Sequence, residues 1–154
     1  TAAGGGGSLA SGGDLVLAAR SARCTMGYTR IGMSPDGTST YFLPRLVGLR
    51  RAQELMLPDR MLRADEAAAW GLVTQVVDDA ALMDEARSLG QRLAAGPTGA
   101  YGEVKRLLAS SFTTGLETQA ELETRAIAAR GVTADGQEGI AAFLDKRAPA
   151  FRGD

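Results

Sequence analysis

The chain has 154 residues, of which 45% are hydrophobic, and its formal net charge is -1. That length and apolar content are sufficient for a globular core. The absence of a net positive charge argues against a nucleic-acid partner. No apolar run approaches the roughly 20 residues that a membrane-spanning helix needs. We therefore expect neither a nucleic-acid partner nor a membrane partner.

The chain contains no histidine and one cysteine, Cys24. Relays of the Ser-His-Asp or Cys-His type cannot be built from these residues, and neither can a metal site with a histidine ligand. We predict no metal site, and we interpret Cys24 as a small buried apolar residue. A lone cysteine forms no internal disulfide, which suits a reducing compartment and favours a cytoplasmic location. Any catalysis must use carboxylates, main-chain amides or groups from another chain.

Signals for strands and helices alternate over the first part of the chain. In chain order, the predicted elements are a short helix that begins near Ser8, a buried strand over residues 14–19, a strand over residues 24–28 that ends near Ile31, a helix from Thr38, helices over residues 49–57 and 64–70, and a strand over residues 72–77. Pro58 and Gly71 supply the stop signals of the last two helices. Residues 1–79 are therefore predicted to be α/β.

Helical periodicity continues from residue 80 to residue 154, with breaks at Gly96, near Gly115 and at Gly131. This second region is predicted to be entirely helical.

One of its helices, over residues 118–130, has a narrow apolar stripe of Leu122, Ala126 and Ala129. Such helices are marginal alone and usually need partners. We favour packing against another copy of the chain, and packing within the same subunit is the alternative.

Asp36 is the only charged residue between Ile31 and Pro44. A lone carboxylate in apolar surroundings can act as a proton shuttle. Upstream, the four glycines at residues 4–7 lead into a helix, and bare amides in that position can hold a developing negative oxygen. Together the two features predict chemistry beside a carbonyl group. The alternative is structural, because Pro-Asp-Gly is a common turn signal.

Several segments share their order and spacing with one known family. They lie at residues 2–6, 14–19, 31–37, 43–48, 52–55, 66–73 and 138–147. With them the chain resembles the crotonase (enoyl-CoA hydratase/isomerase) superfamily over essentially its whole length. The resemblance is strongest to members with an active-site aspartate, namely acyl-CoA isomerases and 4-chlorobenzoyl-CoA dehalogenase.

This resemblance implies an α/β fold of the crotonase type, a spiral of ββα turns followed by a helical trimerisation region. Residues 1–79 would be the C-terminal part of the spiral, and residues 80–154 the region for trimerisation and coenzyme A capping. The first part of a typical member, with the other oxyanion-hole amide and part of the coenzyme A site, would precede this chain. The implied substrate is an acyl-CoA or aryl-CoA thioester, with no permanently bound cofactor, and the implied assembly is a homotrimer or hexamer.

The resemblance also assigns roles to individual residues. Gly5 falls at the second oxyanion donor, with Gly4 and Gly6 beside it in the substrate site. Asp36 falls at the catalytic aspartate of certain isomerases and of the dehalogenase. Tyr28 stands where that dehalogenase has a tryptophan bonded to its nucleophile. The alternative for the glycines is a tight turn that binds no ligand. The alternative for Tyr28 is an ordinary aromatic residue of the core.

Phe143 and Lys146 match family positions that meet the adenine and phosphate end of coenzyme A, often from a neighbouring subunit. An aromatic ring and a cation suit those groups. The alternative is an exposed helix end.

Two differences from the hydratases of this family reduce the number of activities that we expect. Ser8 and Tyr28 occupy the positions of the two glutamates that place water in true enoyl-CoA hydratases, and neither is a carboxylate. We therefore predict isomerase-type proton transfer by Asp36. The alternatives are an aryl-CoA dehalogenase with Asp36 as the nucleophile, whose ester hydrolysis usually calls for a histidine, and a degenerate fragment that serves only in oligomerisation.

Overall fold

The computed structural model describes all of residues 1–154, which form two compact units, Thr1–Ala86 and Arg87–Asp154. The first unit contains every strand of the chain. The strands are β1 (Ala2–Ala3), β2 (Leu17–Ala19), β3 (Arg23–Thr25), β4 (Leu62–Arg63) and β5 (Gln75–Val77).

These strands form two small sheets. In the three-stranded sheet, β3 lies in the centre, parallel to β1 and antiparallel to β4. Cys24 pairs with Ala2 on one side and with Leu62 on the other. The second sheet pairs β2 with β5 in parallel, with Leu17 opposite Gln75. Parallel pairing of strands so far apart in the chain requires crossover connections, which the helices of the unit supply.

Four helices lie within the first unit: α1 (Gly5–Ser11), α2 (Ser39–Val47), α3 (Leu49–Met56) and α4 (Ala64–Ala69). Apolar residues of α2, α3 and α4 meet in one core cluster with residues from the strands and loops, and its members are Met26, Leu43, Val47, Ala52, Leu55, Leu62, Ala67 and Leu72. The contributions of α2 and α3 are spaced three or four residues apart, which places them on one helix face. Gly48 separates these two helices at φ +81°, a conformation that favours glycine.

A further helix, α5 (Leu82–Ala94), runs from the first unit into the second, and three more follow: α6 (Thr98–Ser110), α7 (Leu116–Gly131) and α8 (Ala134–Leu144). Thr133 caps α8, since its hydroxyl accepts the Gly136 N–H at 3.1 Å. None of the helices combines the length and the apolar content that crossing a bilayer demands.

The residues after α8 fold back along it through Glu138. This carboxylate accepts two bonds from the Arg147 guanidinium, at 2.6 and 2.9 Å, and one from the Ala150 N–H at 2.8 Å. The Arg147 bonds, helped by the Ala150 amide, lower the pKa of Glu138 to about 2. Paired Arg–carboxylate bonds of this kind add geometric specificity as well as energy.

The breaks predicted between the late helices, at Gly96, near Gly115 and at Gly131, are confirmed. The strand prediction over residues 24–28 was wrong in extent. β3 ends at Thr25, because Gly27 turns the chain at φ +70° into a short 3₁₀ turn, Thr29–Ile31. Two further strands, β1 and β4, were not predicted, since two residues are too short for a periodic signal.

Candidate active site

Asp36 lies in a tight turn directly before α2. Its main-chain carbonyl accepts the Ser39 hydroxyl at 3.0 Å and the Ser39 N–H at 3.4 Å, and Ser39 is fully buried. Gly37 follows at φ +59°, a left-handed conformation that glycine adopts without strain. The turn interpretation of Pro-Asp-Gly is therefore correct. The same turn holds the carboxylate at the start of a well-anchored helix.

The glycine run forms a second tight turn, which opens α1. Gly4 has φ +53° and ψ -127°, and its N–H donates to the Thr25 carbonyl at 3.3 Å. The helix begins at Gly5, so the N–H groups of Gly5 and Gly6 belong to the first turn, where no helical carbonyl is available. The positions that their Cβ atoms would occupy have no neighbour within 4 Å. Both glycines are exposed, so the space beside this first turn is open.

Hydrogen bonds connect the two turns through Tyr28 and Ser8. The Tyr28 hydroxyl donates to Asp36 Oδ1 in a short bond. Ser8 Oγ lies 3.2 Å from Tyr28 Oη and 3.2 Å from the carbonyl oxygen of Gly4. The structure thus brings together Asp36, Tyr28 and the glycine turn, which the sequence assigned to one site.

The surroundings of Asp36 differ from the apolar environment that the sequence suggested. In this chain Asp36 is exposed, Tyr28 is half-buried and Ser8 is buried, with 1% of its surface exposed. The carboxylate is therefore held by its hydrogen bond from Tyr28 and by the turn at Ser39, and not by burial.

A cavity of about 350 Å³ lies beside α1, and its lining includes Gly7, Ala10, Cys24 and Leu62. Asp36 is not among the residues that line it, so we assign this cavity no part in the chemistry of Asp36. Burial raises the pKa of the Cys24 thiol. A thiol with a raised pKa is a poor nucleophile near neutral pH, which agrees with the interpretation of Cys24 as an apolar residue, but Cys24 is half-buried and not buried as predicted.

Sequence reasoning missed a buried carboxylate beside the site, Asp59. It accepts the Thr25 hydroxyl and the Gly27 N–H, each at 2.6 Å, and Arg30 Nε lies 2.8 Å from its other oxygen. The Thr25 bond, then the Gly27 amide and the Arg30 charge, lower the pKa of Asp59. Asp59 therefore holds the turn that precedes Tyr28. Its sequence context, directly after a helix-ending proline, carries no signal for burial.

Phe143 and Lys146 lie in the second unit, at the end of α8. Phe143 is 82% exposed, and it borders a cavity of about 400 Å³ together with Arg130, Ile140 and Phe151. Lys146 is also exposed, and its φ of +55° lies in the left-handed region, just after the end of the helix. Their assignment to coenzyme A stays a prediction. No group of three or more potential metal ligands occurs in the chain.

Comparison with known proteins connects this geometry to a family. The enoyl-CoA hydratase/isomerase family model matches residues 1–154. The chain is 45% identical over 152 residues to 1,2-epoxyphenylacetyl-CoA isomerase of Escherichia coli (strain K12), a match that covers 99% of this chain and 58% of that protein. It is 34% identical over 145 residues to 4-chlorobenzoyl coenzyme A dehalogenase-1 of Arthrobacter sp, covering 94% of this chain and 52% of that protein.

Solved structures give the same result. An enoyl-CoA hydratase from Polaromonas sp. JS666 superposes with a TM-score of 0.94 at 34% identity, covering 98% of this chain and 59% of that one. The chain thus spans little more than half the length of the relatives it matches. The predicted fold class, a crotonase-like α/β fold with a helical region, is confirmed by these similarities. The chain belongs to the enoyl-CoA hydratase/isomerase family, which is the crotonase superfamily that its sequence motifs indicate.

Proposed function

We propose that the full-length protein is an acyl-CoA isomerase in which Asp36 transfers a proton next to the thioester carbonyl. The observation that carries this proposal is the hydrogen bond from Tyr28 to Asp36 Oδ1, which holds the carboxylate and leaves Oδ2 for the substrate. The similarity to 1,2-epoxyphenylacetyl-CoA isomerase supports the same class of reaction.

The proposed reaction begins with the acidity of the carbon beside a thioester. In a 3-enoyl thioester, Asp36 takes a proton from this carbon, and the electron pair moves onto the carbonyl oxygen to form a dienolate. The N–H of Gly5 donates to that oxygen, and such donors contribute about a hundred- to a thousandfold in rate. Asp36 then returns the proton to the far end of the conjugated system. The double bond has moved, and no atom is gained or lost.

The neighbouring residues suit this role better than water addition. Gly4 and Gly6 have no side chain, so a thioester could approach the amides closely. Ser8 and Tyr28 provide hydroxyl groups where hydratases carry their glutamates, and both hydroxyls take part in the bonds that lead to Asp36. A neutral hydroxyl group is a far weaker base than a carboxylate. Among the residues assigned to the reaction, Asp36 is then the carboxylate that can act as a base, since Asp59 is buried and bonded to Thr25, Gly27 and Arg30.

A second candidate is an aryl-CoA dehalogenase, which the match to the Arthrobacter enzyme favours. Here Oδ2 of Asp36 would attack the ring carbon that bears the halogen, halide would leave, and water would hydrolyse the resulting ester. The last step needs a base to activate water, and this chain contains no histidine. The third interpretation is a degenerate fragment that serves only in oligomerisation. It predicts no turnover of either substrate.

The remaining assignments form part of the same proposal. We propose that Phe143 and Lys146 contact the adenine and phosphates of coenzyme A, and that no other cofactor is bound. We also propose that residues 80–154 mediate assembly into a homotrimer or hexamer, and that the protein is cytoplasmic. The exposed apolar side chains of α6 and α7, among them Val104, Leu108 and Ile127, support an assembly through this region.

The test is to supply the full-length protein with a 3-enoyl-CoA, a 2-enoyl-CoA and a 4-halobenzoyl-CoA. Conversion of the 3-enoyl thioester is followed by the ultraviolet absorbance of the conjugated product, hydration by its loss, and dehalogenation by halide release. We expect isomerisation by the parent and its loss in Asp36→Asn. Asp65→Asn, which changes an exposed carboxylate on α4, is the control. Full isomerisation by the Asp36→Asn protein would exclude the proposed mechanism.

A further inference from the structure

Ser8 is a buried polar residue to which the proposed reaction assigns no role. It lies in α1, one turn after Gly4, and 1% of its surface is exposed. Its hydroxyl has two neighbours at 3.2 Å, Tyr28 Oη and the carbonyl oxygen of Gly4. A serine hydroxyl has one proton and two lone pairs. It can therefore donate to either neighbour, and it is well placed to connect them.

The proton inventory sets the direction of the bonds. Tyr28 has a single hydroxyl proton, which it donates to Asp36. The bond between Ser8 and Tyr28 must then use the proton of Ser8, with the tyrosine oxygen as the acceptor. The bonds run from Ser8 to Tyr28 to Asp36 in this arrangement. Each hydrogen bond polarises the next, so the two bonds strengthen each other.

Ser8 also holds the peptide group that presents the proposed oxyanion donor. Gly4 C=O and Gly5 N–H belong to the same planar trans peptide, so they point in opposite directions. Ser8 binds the carbonyl end through its N–H at 2.9 Å, and its hydroxyl, 3.2 Å from the same oxygen, shares its one proton between this carbonyl and Tyr28 Oη. Fixing the carbonyl end therefore fixes the direction in which the Gly5 N–H points.

A steric contact connects Ser8 to the turn that carries the aspartate. A Cβ atom built on Gly37 would lie 2.8 Å from the Cβ of Ser8, well inside normal contact for two carbon atoms. The backbone of Gly37 thus packs directly on Ser8. Ser8 touches the Asp36 turn here, and it reaches the Asp36 carboxylate through Tyr28.

We propose that Ser8 is a positioning residue that sets the geometry between the Asp36 carboxylate and the Gly5 amide. Acting through Tyr28, it keeps Oδ1 of Asp36 occupied, so that Oδ2 faces the substrate. Acting through Gly4, it aims the amide at the thioester oxygen. This inference rests on the proposed isomerase function, since it assumes that Asp36 and Gly5 act on one bound thioester.

The test uses the full-length protein, a 3-enoyl-CoA substrate, and the variants Ser8→Ala, Tyr28→Phe and the double variant. Each substitution removes one hydroxyl and keeps the rest of the side chain. We expect kcat to fall about three- to tenfold in Ser8→Ala, as for loss of one hydrogen bond, with KM nearly unchanged. In the Tyr28→Phe background, removing the Ser8 hydroxyl should cost less than it does in the parent, because part of its effect passes through Tyr28.

A second readout separates positioning from folding. The rate at which the protein exchanges deuterium into the carbon beside the thioester of a saturated acyl-CoA reports proton removal alone, and it should fall in parallel with kcat. Ser11→Ala is the control for a buried serine on the same helix, since its hydroxyl bonds only the Ser8 carbonyl, at 2.7 Å. Tyr41→Phe is the control for an exposed tyrosine. Neither control should change the exchange rate.

If Ser8→Ala destabilises the protein, Tyr28→Phe tests the same connection with the ring still in place. Parent values of kcat and exchange in both variants, or losses that add fully in the double variant, would refute the positioning role. Asp36→Asn, measured in the same assays, distinguishes a failure of the Ser8 proposal from a failure of the proposed function. If it abolishes exchange while the hydroxyl variants are unaffected, only the role of Ser8 is wrong. If it leaves exchange intact, the proposed function itself is wrong.

Discussion

Replacing Gly37 by alanine should misplace the Asp36 carboxylate, because the new methyl group has no room. Two penalties combine at this position. The φ of +59° costs an L-residue roughly 1–2 kcal/mol. The added Cβ would lie 2.8 Å from the Cβ of Ser8, about 1 Å inside the optimal separation of two carbon atoms. Neither Cβ atom can rotate out of the contact, so the turn itself must move by about 1 Å. A misplacement of this size can cost a hundredfold in rate.

The matched control is Gly32→Ala. Gly32 has φ +71°, and its Cβ position has no neighbour within 4 Å, so this variant has the backbone strain without the collision. Both variants should lower the melting temperature by roughly 2–8 °C. Only Gly37→Ala should lower kcat, by about a hundredfold, in the assay with a 3-enoyl-CoA. Equal loss of kcat in the two variants, or parent kcat in Gly37→Ala, would show that the contact with Ser8 does not position Asp36.

Three further predictions concern stability. Leu43→Ala removes a fully buried side chain and should cost roughly 2–5 kcal/mol in urea unfolding, and a loss below 1 kcal/mol would contradict the assigned core. Hydrogen bonds depress the pKa of Asp59, so its contribution is present above its ordinary pKa and is lost as pH falls through the depressed value. Asp59→Asn should lower the melting temperature at neutral pH, and the melting temperature of this variant should fall less in acid than that of the parent. Melting curves identical to those of the parent would show that the Asp59 carboxylate does not stabilise the fold. For Glu138, the contribution to stability should vanish as pH falls from about 4.5 to about 2. A nuclear magnetic resonance titration of its carboxyl should give a pKa of about 2 in the parent, and Arg147→Gln should raise that pKa.

The sequence by itself determined the features that depend on nearby residues. The late helices begin and end close to the predicted breaks, because capping and stop signals act within one turn of a helix. The family was also readable from the sequence, since its motifs are short runs of consecutive residues in a constant order. The Asp36 turn was predictable for the same reason, as Pro35 and Gly37 are its immediate neighbours.

Only the tertiary structure decided how the site is held together. Ser8 and Tyr28 are separated by 20 residues, and Thr25 and Asp59 by 34, so no local pattern predicts either bond. The strands of the first unit are too short to signal their pairing, which is set by partners elsewhere in the chain. The burial of Asp59 and the exposure of Asp36 also follow from this packing, because the depth of a side chain depends on what the rest of the chain places over it.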